Sequence, residues 1–167
     1  MIEPRVGDLV VIKTGGLFAR VIRFGQWLRW RKLDSGRAWH FNHAAVVIED
    51  GIIVEARPTG VRVSKLNEYR AIYCEVVKLN GDPNKCVEEA KKWITTPYGY
   101  ADIIAFFFLT LGLDPKWVDR ICRDSRTVVC SQLAALSAHA AGDNRFDDPY
   151  LALPVTIAQY AEYRKLV

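Results

Sequence analysis

The stretch "HFNHAAVVIEDGIIVEARPTGVRV", residues 40–63, decides how the chain is read. Two β-rich runs, "HAAVVIE" and "IIVEA", meet across Asp50-Gly51, a dipeptide suited to the positive φ of a tight hairpin turn. His43 opens the first run and Glu55 sits in the second, an imidazole and a carboxylate in an otherwise apolar hairpin. Whether they meet depends on register. A two-residue loop, Asp50-Gly51, pairs Glu49 with Ile52 and puts Glu55 opposite Val46, on the face away from His43. A three-residue loop, Glu49-Asp50-Gly51 with Gly51 in the left-handed region, pairs Ile48 with Ile52 and puts Glu55 opposite Ala45, on His43's face. A His43–Glu55 pair requires the second register or an equivalent bulge.

Outward from the hairpin, "GDLVVIK" (7–13) reads as an earlier strand, and "VRVSKL" and "AIYCEVVKL" follow as later ones. Together they suggest an antiparallel meander or barrel. Residues 17–33 carry a helical apolar stripe with Arg20, Arg23, Arg31 and Lys32 largely off it. A helix near "GDPNKCVEEAKKWI" can be capped by Asp82 or Asn84. "TPYGY" precedes an apolar segment that runs to Leu113, "DPKWVDRIC" reads as a short helix, and "TVV" as a short strand. "CSQLAALSAHAAG" is then a small-residue helix ended by Gly142, and a last helix is expected over 154–165. Strands followed by helices make the fold class α+β, in a single domain over 1–167.

Composition limits the function classes. Half of the 167 residues are hydrophobic and a quarter charged, with a net charge of +4 that does not call for nucleic acid. No secretory signal is evident at the amino terminus, and the apolar run 103–113 is too short to span a bilayer. Cys74, Cys86, Cys122 and Cys130 form no CxxC pair or zinc spacing, so reduced thiols in the cytoplasm, without metal or cofactor, are the expectation.

Cys130 stands where the β-branched run stops and the Ala-rich helix begins. There the helix dipole and the unpaired N–H groups of the first turn favour the thiolate and can hold an oxyanion. His43 is the natural base for it, better than His40 in a loop or His139, three turns inside the same helix. Glu55 would orient the imidazole. Arg57 and Arg62 suit either a basic surface or a substrate carboxylate, and the acids of "GDNRFDD" read as a solvated loop.

His43 in a strand, a polar residue twelve positions later in the next strand, and a distant Cys-Ser-X-Leu opening a helix resemble the circularly permuted NlpC/P60 superfamily. The chain looks most like permuted papain-like amidases of the YiiX type, through "GDLV", "HAAVVI", "IIVEA…GVRV", "PYGY" and "CSQL", which together cover most of its length. The resemblance implies a nucleophile at Cys130, a base at His43 and a third member at Glu55, with Tyr98 beside the nucleophile and Ser131 on the substrate and oxyanion side. Gln132 departs from relatives that carry an acid after Cys-Ser. The lecithin-retinol-acyltransferase branch usually has a second histidine at the position of Glu55.

The resemblance further implies a cysteine hydrolase acting on peptide, cell-wall or N-acyl amide bonds. One rival is a lipid thioesterase or acyltransferase, with residues 17–33 as a peripheral membrane helix rather than a surface helix packed on the sheet. The other is a binding module that retains the fold without catalysis.

Overall fold

Runs of β-branched residues form five strands, β1 (Leu9–Ile12), β2 (His43–Glu49), β3 (Ile52–Arg57), β4 (Gly60–Lys65) and β5 (Cys74–Val77). They make one antiparallel sheet in the order β4-β3-β2-β1-β5. The computed structural model describes residues 4–30, 38–69, 72–110, 116–123 and 126–161. Among these lie six α-helices: α1 (Leu17–Trp30), α2 (Pro83–Lys92), α3 (Tyr100–Thr110), α4 (Lys116–Cys122), α5 (Cys130–Ala140) and α6 (Pro154–Ala158). The fold is α+β.

The sheet departs from a simple meander at its last strand. β2, β3 and β4 follow one another as expected, but β5 leaves β4 and pairs with β1, Val76 facing Val10. Burial explains the crossover. All four residues of β1 are buried, so that strand needs a neighbour on each side and cover on both faces. β4 exposes Arg62, Val63 and Lys65 and ends the sheet at one edge, with β5 at the other.

α5 is the central helix. It lies on β2 and β3 and packs beside α2, burying Leu133, Ala134, Ala135 and Ala138 in the larger core. Its small side chains allow this close approach, because helix-to-sheet spacing is set by side-chain size. Asp82 caps α2 by accepting from the Asn84 N–H at 2.9 Å. Gly142, at φ +91°, follows the end of α5 in the left-handed conformation expected of it.

Several expectations shift in detail. "TVV" contributes one parallel bridge, Tyr98 to Val128, rather than a strand. α6 ends at Ala158, where hydrogen bonds tighten to the three-residue spacing of Tyr160 to Ile157 and Ala161 to Ala158. Residues 162–165 of the expected helix, and 31–33 of the expected amino-terminal one, lie outside the described residues. α1 packs chiefly on α3 and on the short 3-10 turn Ala38–His40 rather than on the sheet. Gln26 fixes it there. Buried, it donates to the carbonyls of Trp39 and Phe41 and accepts from the Val155 N–H that opens α6. Among the described residues no helix is long and apolar enough to cross a membrane.

The turn before α3 leaves no room at Gly99, where any Cβ would overlap the Asp102 carboxylate. Gly99→Ala should therefore cost about 2 kcal/mol, as overpacking does, and lower Tm by about 5 °C. A thermal melt checks this, with an unchanged Tm as the contrary result.

Candidate active site

The hairpin adopts the register that brings His43 and Glu55 together. Glu55 pairs with Ala45, Val54 with Val46 and Ile53 with Val47, while Ile52 pairs with Glu49. The register shifts between Val47 and Glu49, so Ile48 is an extra residue on its strand. The turn itself is Asp50-Gly51, with Gly51 at φ +68°. A short turn plus one bulge thus produces the facing that a plain two-residue loop would forbid.

Glu55 is fully buried and meets five side chains. His43 Nε2 donates to Oε2 at 2.7 Å, and the Tyr69 hydroxyl donates to the same oxygen. Oε1 accepts from Ser64 Oγ at 2.6 Å, Arg57 Nε at 3.0 Å and Arg62 Nη2 at 3.2 Å. Arg57 Nη2 also donates to the Tyr69 hydroxyl, which closes a small ring of bonds. Burial alone would raise the carboxyl's pKa. The hydrogen bond and charge of His43, followed by Ser64 and Tyr69, outweigh it and hold the group well below the usual carboxylate range. The same surroundings raise the Tyr69 hydroxyl, first by burial and then by Glu55, so it remains a donor.

His43 is itself buried, which would lower its pKa. The charge of Cys130 and a hydrogen bond to it, then the bond and charge of Glu55, reverse this and raise the imidazole from 6.5 to about 9. With Nε2 engaged by Glu55, Nδ1 is the nitrogen left for Cys130. Cys130 is the first residue of α5, after Val129 in extended conformation, so its own N–H lies in a turn without helical partners. Gln132 completes that turn. Its Oε1 accepts from the Val129 N–H at 3.0 Å, and its Nε2 donates to the carbonyls of Cys122 and Tyr150. Gln132 thus anchors the helix start.

Burial pushes Cys74, Cys86 and Cys122 up to about 12, with nearby carboxylates adding to it at Cys86 and Cys122. His40 stacks on Trp39 with ring centroids 3.7 Å apart, and His139 is exposed near the far end of α5.

Two cavities flank the Cys130–His43 pair. One, of about 50 Å³, is apolar and reaches Cys130 and Ser131 between α1, α3 and the start of α6, with Val21, Phe106, Phe107 and Leu153 in its walls. The other, of about 290 Å³, lies on the His43 side against Thr14, Asn42, Arg57 and Tyr69. Ile22 of α1 and Tyr98 border both. Tyr98 is buried, and burial followed by the charge of Cys130 raises its hydroxyl pKa, so the ring stays protonated beside the sulfur.

Residue by residue, His43, Glu55, Cys130, Tyr98 and Ser131 are brought to one place. Arg57 and Arg62 are not a free basic surface, since both bond to Glu55. The acids near the carboxyl end include Asp143, which is buried against Arg145 and accepts from the Asn80 N–H at 3.0 Å, so it staples a loop rather than being solvated. Sequence reading missed Tyr69 and Ser64. Ser64 was accessible, because it lies in the strand next to Glu55; Tyr69 sits in a 3-10 turn, Leu66–Tyr69, that no pattern announced. Among the described residues, no group of three or more His, Cys, Asp or Glu is arranged to hold a metal. In comparison with known proteins, the chain matches no protein-family model and no curated protein.

Glu55→Gln should destabilise the fold by about 3 kcal/mol at pH 7, because it leaves buried donors facing a neutral amide. The sign with pH follows from the depressed pKa. The carboxylate's contribution is complete above its ordinary value of 4.5 and is lost as pH falls below it. In urea melts, the gap between wild type and variant should hold from pH 7 to about 5 and narrow below 4.5. A gap that widens in acid would contradict the role given to Glu55.

Proposed function

We propose that the chain is a cysteine-dependent amide hydrolase with a Cys130–His43–Glu55 triad, built on a circularly permuted papain-like fold of the NlpC/P60 kind. The observation that carries this reading is the His43 imidazole, bonded to a buried carboxylate and raised by the charge of Cys130 at a helix start. The chain order also supports it, with the histidine strand preceding the cysteine helix and an antiparallel sheet beneath α5. Four unpaired cysteines suit a reducing, cytoplasmic setting.

In this reading each residue has a defined part in the reaction. Cys130 Sγ, as thiolate, attacks the carbonyl carbon, and the carbonyl oxygen takes the negative charge. The Cys130 N–H and the protonated Tyr98 hydroxyl are the donors for that oxyanion. His43 gives its Nδ1 proton to the amide nitrogen, the C–N bond breaks, and the amine leaves with an acyl thioester on Cys130. Water, losing a proton to His43, then attacks the thioester and releases the carboxylic acid and the thiolate. Glu55 keeps the ring oriented and stabilises its cationic form throughout.

A second reading, a lipid thioesterase or acyltransferase, is favoured by one observation. The apolar cavity at Cys130 continues into exposed apolar side chains of α1 and α3, Val21 and Phe107 belonging to both, with Leu17, Phe24 and Ile104 nearby. Such a surface suits an acyl chain taken from a lipid boundary.

Two measurements test the hydrolase. Iodoacetamide at pH 6 should alkylate Cys130 at least ~100-fold faster than the three raised thiols, and His43→Ala should slow it by ~10-fold or more. With a panel of N-acyl amides, acid quenching should trap an acyl group on Cys130, and Cys130→Ala should lower turnover by about 1,000-fold or more. Hydrolysis that survives Cys130→Ala would overturn the reading. Acyl transfer to a lipid acceptor in vesicles, faster than to water, would select the second one.

A further inference from the structure

The two cavities divide a substrate into halves. The group that protonates the leaving atom must lie within hydrogen-bond reach of it. The leaving amine therefore occupies the His43 side, and the acyl half the side that ends on Cys130. The His43-side cavity has a definite charge. Among the described residues lining it none is acidic, and the charged ones are His43 and Arg57. A third cation stands behind the wall, where Arg23 Nη1 donates to the Thr14 carbonyl at 2.8 Å and to Asn42 Oδ1 at 3.4 Å.

Arg57 is aimed as well as charged. One edge is fixed, Nε on Glu55 and Nη2 on the Tyr69 hydroxyl. Its Nη1 bonds to no described residue, and the side chain is 35% exposed where it lines the cavity. A planar guanidinium held on one edge presents the other to a carboxylate in fixed orientation. Arg57 and His43 are both bound to Glu55 and both line this cavity, so an anion received by Arg57 shares the space of the amine that leaves beside His43.

We infer that Arg57 is a specificity-determining residue that receives the free carboxylate of an amino-acid leaving group, making the substrates amides of the N-acyl amino acid class. The inference rests on the cysteine-hydrolase reading and adds the identity of the amine half. Cleavage returns the amino acid with its carboxylate on Arg57 and leaves the acyl half on Cys130.

The test uses alkylating mimics, so no true substrate is needed. N-chloroacetylglycine and N-chloroacetylglycinamide each carry a chloromethyl carbon; the Cys130 thiolate displaces chloride and forms a thioether. Rates at Cys130 are read by peptide mass spectrometry on the full chain, and the acid-to-amide ratio is divided by the same ratio for glutathione. The normalised ratio should be about 10 for wild type, since one charge-assisted bidentate pair is worth about that factor. It should fall to about 1 in Arg57→Gln and stay near 10 in Arg62→Gln, which also loses a Glu55 contact but does not line the cavity. Loss of Glu55 positioning alone would slow both probes equally and leave the ratio unchanged. A wild-type ratio near 1, with both probes fast at Cys130, overturns the carboxylate site and leaves the nucleophile standing, whether or not the Arg57 variant folds. Reaction at Cys130 no faster than at Cys74 with either probe overturns both.

Discussion

A carboxylate with no exposure to water is stable only if its charge is answered from within the protein, and Glu55 is answered by five side chains. Much of the local architecture follows from that requirement. β3 supplies Glu55 and Arg57, β4 supplies Arg62 and Ser64, the following 3-10 turn supplies Tyr69, and β2 supplies His43. Arg57 and Arg62 come from solvent-accessible positions and can neutralise the charge without being buried themselves. His43 is the only one of the five that passes the effect onward, to Cys130 on α5. The sheet edge that looks like a basic surface in sequence is thus the electrostatic support of a candidate nucleophile on another element.

What the sequence revealed, and what it hid, follows from the range of each interaction. The α+β class and the start of α5 were readable because β-branched runs, small-residue helices and glycine stops act within a few residues. The facing of His43 and Glu55 was readable only as a choice between two registers, since one inserted residue reverses every side chain beyond it. Ile48 is that residue, and nothing in its identity marks it as a bulge. The move of β5 to β1 was hidden for a different reason. Strand order depends on which strand must be buried on both faces, and that became visible in β1 only after folding. Tyr69 and Gln26 make their decisive bonds to partners 12 to 129 positions away, beyond the reach of any local pattern.

α1 gives the site its remaining shape. Gln26 pins its buried face to the 3-10 turn at Ala38–His40 and to α6, and Ile22 then stands between the apolar and polar cavities. The same helix turns Leu17, Val21 and Phe24 outward. One element therefore both divides the cleft into two chemically distinct halves and carries the apolar surface outside it.

In the proposed hydrolase Cys130 and His43 form a thiolate–imidazolium pair supported by Glu55. Its most direct test is NMR titration of the His43 ring, one of only three histidines in the chain, in wild type and in Cys130→Ala. The wild-type midpoint should lie near 9 and fall when the sulfur is removed, because Cys130 supplies the larger of the raising influences. A midpoint near the ordinary 6.5 that does not respond to Cys130→Ala would mean that His43 serves the hairpin alone and would contradict the pair.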